Sequence, residues 1–304
     1  MSAFEHDYFE ERHRKRRRSS FIKGFLCCLI ALIAIGVYFA TQFDHPTGPH
    51  IARFHIDGVI YDDGERDDIL RDIRDNDDVR ALILRISSPG GTTVGSEAIY
   101  EFVKEINSDI PVVAVMDEVA ASGGYIAAVG ARHIIARGNT ITGSIGVIME
   151  YPDVSGLMET LGVRMETIRS SALKADASPY RTLSPEGRAV QEGVIDDTHK
   201  WFRQIVGSER KLEGTALDAV ATGEIFTGRM AIDVGLIDQI GSEDDAVKWL
   251  ESSNSELIDL PVESWAMPEE SPGWFGVASE MAGIRKKIQQ FSASNSPRLL
   301  SLMK

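Results

Sequence analysis

The sequence predicts an α/β fold behind a single membrane-spanning helix at the N-terminus. Three observations carry this. Short apolar runs such as Ala81-Leu-Ile-Leu-Arg-Ile86 and Val112-Val-Ala-Val-Met116 have the length of buried strands. Segments with helical spacing of apolar residues lie between them, the alternation expected of crossover units. Ahead of both, Gly24 to Phe43 holds no charged residue and follows the basic block Arg12-His-Arg-Lys-Arg-Arg-Arg18.

A helix of twenty residues spans roughly 30 Å, about the hydrocarbon thickness of a bilayer. Residues 1–23 therefore read as a cytoplasmic basic segment and 24–43 as a retained transmembrane anchor, with the bulk of the chain translocated. Lys23 can snorkel at the near edge, and Tyr38 and Phe39 lie toward the far one. A cleaved signal peptide suits Tyr38-Phe39-Ala40 poorly, because small residues belong before the cut. Arg17-Arg18-Ser-Ser-Phe-Ile-Lys23 hints at a twin-arginine signal, with Phe21 one place out of register.

Composition narrows the function. The 304 residues, 43% hydrophobic, suffice for a sizeable core. The net charge is −14, and residues 1–43 hold seven of the 32 basic but only four of the 46 acidic side chains. The remainder is thus more acidic still, and no nucleic-acid partner is expected. Cys27 and Cys28, adjacent in the apolar run, offer no disulfide framework, no metal cluster and no nucleophile for the main domain.

In chain order, Pro46, Gly48 and Pro49 break residues 44–50 into a linker. Ile51–Ile56 is a strand that turns at Asp57-Gly58. Asp62–Asp78 is an acidic surface helix with Ile69, Leu70 and Ile73 on one face. Ala81–Ile86 is a strand ending in Ser87-Ser-Pro-Gly-Gly91, and Val94–Ile106 is a helix. Val112–Met116 is the next strand. His133–Ala136, Ile145–Met149 and Met165–Ile168 are predicted as further strands, and Val154–Leu161 as a helix. Ser184 caps a long helix to Arg210, with Pro185 at its first position. Thr227–Ile237 is a short helix with a glycine stop and a strand edge, and Asp244–Leu250 is a last core-facing helix. The main domain is expected over 51–262. Residues 263–304 read as a Pro-, Ser- and Gly-rich tail with an amphipathic stretch, Met281–Phe291. No internal repeat is present.

Reactive groups concentrate around Asp117-Glu-Val-Ala-Ala-Ser-Gly-Gly-Tyr-Ile-Ala-Ala128. Ser122 stands between a strand and a helix too apolar for a surface. It reads equally as an N-cap or as a reactive hydroxyl. Two glycines in the first turn cost roughly 1 kcal/mol each relative to alanine, which suggests a close approach to the backbone. Gly90-Gly91 and Gly123-Gly124 both fall at C-terminal strand ends, where binding crevices form, and their N–H groups are placed to share an oxyanion hole. Of the histidines, His133 alone lies near Ser122 in sequence, at the start of an apolar strand. No HExxH and no GxxxxGK[ST] loop occurs, so neither a zinc site nor a nucleotide loop is expected, and no cofactor. Lys174 is a candidate base. A free lysine, with a pKa of roughly 10.4, needs burial away from carboxylates to serve as one. Asp176 would oppose this if it faced the amine, and spacing alone fits a solvated loop lysine as well.

Five ordered motifs resemble the signal peptide peptidase A family: Ser88-Pro-Gly-Gly91, Ala120-Ala-Ser-Gly-Gly-Tyr125, Thr142-Gly-Ser-Ile-Gly-Val147, Leu173-Lys-Ala175 and Thr227-Gly-Arg-Met-Ala231. The resemblance runs from about Ile51 to about Leu250. It implies a crotonase/Clp-protease-like spiral fold and a serine endopeptidase with a Ser–Lys dyad, Ser122 as nucleophile and Lys174 as general base. It further implies that Ser144 orients the lysine and that Gly91 and Gly123 supply the oxyanion hole. The implied substrates are remnant signal peptides at the bacterial inner membrane. The implied assembly is a homo-oligomer whose dyads can form between subunits. Two other readings stay open on the residues alone, a crotonase-fold acyl-CoA enzyme and a non-catalytic membrane scaffold.

Overall fold

The structure is a computed structural model that describes residues 23, 25–34, 48–266 and 300–302. The chain divides into two units, Met1–Gly48 and Pro49–Lys304. In the first, residues 23 and 25–34 are helical and exposed. No helix among the described residues is long and apolar enough to cross a membrane. The other residues of the expected span 24–43, most of the basic segment and most of the tail lie outside the described residues.

The second unit is a mixed α/β sheet. Its elements are β1 (His50–Ile60), α1 (Gly64–Asp75), β2 (Val79–Thr92), α2 (Thr93–Asp109), β3 (Val112–Ala121), α3 (Gly123–Val129), β4 (His133–Ala136), β5 (Ile141–Gly143), α4 (Ser155–Thr160), α5 (Pro185–Arg210), α6 (Gly214–Val220), β6 (Ile225–Thr227), α7 (Gly228–Asp233), β7 (Gln239–Ile240), α8 (Glu243–Ser253), β8 (Val262–Trp265) and β9 (Leu300–Leu302). The strand order is β6-β5-β3-β2-β1-β8, with β4 also on β3, β7 on β4 and β9 on β2. The β1–β2, β2–β3 and β1–β8 pairs are parallel.

Both faces of the sheet are covered, and the apolar strands show why. Alternate residues of β1–β3, such as Phe54, Leu84 and Ala114, share one core with the buried faces of α1, α2, α3 and α5. The intervening Ile51, Ala81, Ile83, Val113 and Val115 share a second core with Ala246 and Leu250 of α8. A parallel sheet buried on both sides requires such continuous apolar runs. The helix starts follow the expected chemistry: Ser184 accepts from the Gly187 N–H, and Ser242 and Asp245 form a reciprocal capping box.

β3 positions the site by changing partners along its length. Val113–Met116 pair with β4, whereas Val119–Ala121 pair with β5. The strand therefore runs on past Met116, and Ser122 emerges at its far end.

Three expectations change. Ile145–Met149 is not a strand; β5 lies earlier, at Ile141–Gly143, where it reaches both β3 and β6. Met165–Ile168 pairs with nothing among the described residues, and Ile168 is 96% exposed. Apolar alternation alone does not make a strand without a neighbouring edge. β8 continues the sheet past residue 262 and buries Trp265, whose indole N–H donates to His50 Nε2 at 3.1 Å.

Candidate active site

Ser122 occupies the single-residue junction between β3 and α3, at φ 54° and ψ −116°. A non-glycine residue there is strained, and such strain is retained where the surrounding structure enforces it. The enforcement is visible. The Ser122 N–H donates to Gly143 O at 2.8 Å, and its carbonyl accepts from the Tyr125 and Ile126 N–H groups. The side chain makes no cap hydrogen bond to α3, and the residue is 1% exposed. The cap reading of Ser122 therefore falls away.

The glycines serve close approach. A Cβ on Gly124 would stand 2.6 Å from Ser88 O. One on Gly123 would stand 2.3 Å from Ser96 Oγ and 3.0 Å from the Gly91 nitrogen. One on Gly91 would overlap Ile60 O at 1.8 Å. The end of β2 and the start of α3 thus meet with no room for a side chain, and the Gly91 nitrogen lies against Gly123, the residue after Ser122. Ser88 fixes this turn, its buried Oγ accepting from the Gly90 N–H at 3.0 Å. β9 pairs antiparallel with the same stretch, Ser301 opposite Gly91.

Ser144 follows Gly143, whose carbonyl holds the Ser122 N–H. It too has a positive φ, 52°, and its N–H donates to Glu224 O at 2.7 Å. It lines a cleft of about 790 Å³ with Ile148, Ile195, His199, Ile225 and Met230.

Lys174 lies elsewhere, exposed on the turn 172–175. Its backbone N–H donates to Ser171 O at 3.3 Å. Asp176, its neighbour two places on, is engaged by other groups. Its carboxylate accepts from the Ser184 N–H and hydroxyl at 3.1 and 2.5 Å and from Arg169 at 3.2 Å. The Ser184 hydroxyl, with the arginines, holds that carboxyl below the ordinary range. The structure thus brings together Ser122, Gly91, Gly123 and Ser144, and places Lys174 on an exposed turn of the limb between β5 and α5. Among the described residues, no group of three His, Cys, Asp or Glu side chains is arranged to hold a metal ion.

The profile of peptidase family S49 matches residues 104–257, half of the chain. The chain belongs to peptidase family S49. This is the signal peptide peptidase A family, and the chain is a protease of the serine type. A putative protease of Synechocystis sp. is 38% identical over 209 residues, covering 68% of this chain and 75% of that one. A putative protease of Methanocaldococcus jannaschii is 34% identical over 225 residues, 72% and 70% of the two chains. A putative signal peptide peptidase of Enterococcus faecium is 32% identical over 267 residues, 83% and 76%. Among solved structures, a mutant of a membrane-bound stomatin-specific protease aligns over 73% of this chain and 99% of its own, at 16% identity and a TM-score of 0.46.

The S49 match takes in Ser122, Ser144 and Lys174 and leaves Gly91 ahead of its boundary. Two residues that shape the site stood in the motifs without a role, Thr142 and Tyr125, and a third, Ser96, carried no signal in the sequence. Ser96 donates to Thr92 O at 3.0 Å, and its hydroxyl fills the space at Gly123. Thr142 ties β5 to Ala120 O at 2.7 Å. Tyr125, fully buried, donates to Leu236 O at 2.7 Å and anchors α3. A lone serine in a helix is too common for spacing to single out Ser96.

Proposed function

We propose that this S49 protease is a membrane-anchored endopeptidase that uses a Ser122–Lys174 dyad on remnant signal peptides and similar apolar segments. The observation that carries the reading is the junction at Ser122: a strained, buried serine not used as a cap, beside the Gly91 nitrogen. The neutral Lys174 amine takes the Ser122 proton, and Oγ bonds to the peptide carbonyl carbon. The N–H groups of Gly91 and Gly123 receive the negative charge on the carbonyl oxygen, where each such donor is worth about 3–4 kcal/mol of barrier. The C–N bond breaks, and the leaving amine takes the proton back from Lys174. Water, deprotonated by Lys174, then releases the acyl group. Ser144 orients the lysine at the mouth of its cleft.

The proposed setting is a crotonase/Clp-protease-like spiral in a homo-oligomer. The chain is anchored by 24–43 in the bacterial inner membrane, with the catalytic domain outside the cytoplasm. The exposed position of Lys174 supports a dyad completed by a neighbouring copy. The test is cleavage of an apolar peptide by the solubilised full chain, with fluorophosphonate labelling. Activity and labelling are expected in the wild type, with loss of cleavage in Ser122→Ala and Lys174→Ala. Normal cleavage by both variants would overturn the dyad.

A further inference from the structure

The limb that carries Lys174 has no apolar core of its own. Between Ile145 and Phe202 no hydrophobic side chain is buried, while Leu157, Leu161, Val163, Met165 and Leu173 are all exposed. The buried residue that stands out there is Asp176, 8% exposed. Everything that fixes the lysine turn converges on it. Arg169 bonds both the Asp176 carboxylate and Ala172 O, the latter at 2.6 Å. Arg181 donates to the carbonyls of Ala175 and Asp176 and lies 3.4 Å from the carboxylate. The other carboxylate oxygen binds Ser184, the cap of the 26-residue helix α5. The backbone carbonyls on either side of Lys174 are thus held by two guanidinium groups, and one carboxylate ties those groups to the start of a long helix. Ala175 is bent to φ 53° inside this knot.

We infer that Asp176 is the positioning residue of the dyad: with Arg169, Arg181 and Ser184 it fixes the turn that presents the Lys174 amine. The inference rests on Lys174 being the general base. The knot also engages both Asp176 carboxylate oxygens with Ser184 and the arginines.

Gly187 supplies a test that leaves every member of the knot in place. A Cβ there would stand 2.1 Å from Asp176 Oδ2. Alanine is otherwise the better helix former, so Gly187→Ala strains the knot without weakening α5. Steady-state peptide cleavage would be measured on the full solubilised chain for the wild type, Lys174→Ala, Asp176→Asn, Gly187→Ala and the double variant Asp176→Asn/Gly187→Ala, with thermal unfolding of each. A catalytic group displaced by about 1 Å loses on the order of 10²-fold in rate. Both single variants are expected to lose kcat on that scale with KM within about twofold, and the double variant to be no worse than either. Unfolding of the sheet core should stay at the wild-type temperature. Wild-type kcat in Asp176→Asn, with Lys174→Ala inactive, would overturn the positioning role and leave the dyad standing. Cleavage undiminished in Lys174→Ala would instead overturn the dyad itself. Equal loss of kcat and core stability would make Asp176 a folding residue and also overturn the inference.

Discussion

At the scale of single residues, Ser122, Ser144 and Ala175 all have φ near +50°, and each belongs to a motif that carries the family resemblance, whereas Lys211 and Asp259, with similar φ, lie outside those motifs. Gly123→Ala places a Cβ against Ser96 Oγ and the Gly91 nitrogen. It is expected to lower kcat on the order of 10²-fold, the loss typical of a disturbed oxyanion donor, while circular dichroism at room temperature stays native. Tyr125→Phe leaves the buried Leu236 carbonyl without its partner and should cost about 1–3 kcal/mol in chemical denaturation. Asp176 gives a pH dependence of definite sign. Its carboxyl is held below the ordinary value of 3.8 by Ser184 and the arginines. The stabilisation is therefore complete above that pH and is lost as the pH falls through the lower folded value. Hydrogen exchange across residues 169–184 should rise in acid before that of β1–β3.

At the scale of elements, the paired apolar runs were legible because a strand buried on both faces has few other sequences open to it. β1, β2 and β3 lie where their β-branched runs fall, and α5 begins at its Ser-Pro-Glu. What was not legible depended on partners distant in sequence. Met165–Ile168 has the alternation of a strand but no edge to join. β8 is a short run beyond a proline, and only its pairing with Ile51–Phe54 makes it a strand. Within the site, Ser122 and the glycine pairs could be read from local pattern. Ser96 and the Asp176 knot could not, because their meaning lies in what they touch. The prediction at this scale concerns β8. Trp265→Ala removes a side chain buried against His50 and should cost about 3–5 kcal/mol in thermal or urea unfolding.

At the scale of the whole molecule, the proposed assembly would join Ser122 of one copy to the exposed Lys174 of another. Neither half-defective chain should cleave alone. If the dyad forms between copies, mixing Ser122→Ala with Lys174→Ala before assembly should restore part of the wild-type rate, because some interfaces then pair an intact serine with an intact lysine. Cleavage assays of co-expressed and separately purified chains would show this. If that assembly buries the exposed apolar side chains of the limb, Ile168→Asp should lower the mass measured by light scattering and the cleavage rate together.

The antiparallel pairing of β9 with Gly90–Thr92 has a practical side for anyone handling the protein. A purification handle or fluorescent reporter placed next to this strand would be moored within a few residues of the Gly90–Gly91 turn. Bulk there would pull the strand from its edge and, under the proposed function, crowd incoming peptide. Reporters belong away from β9.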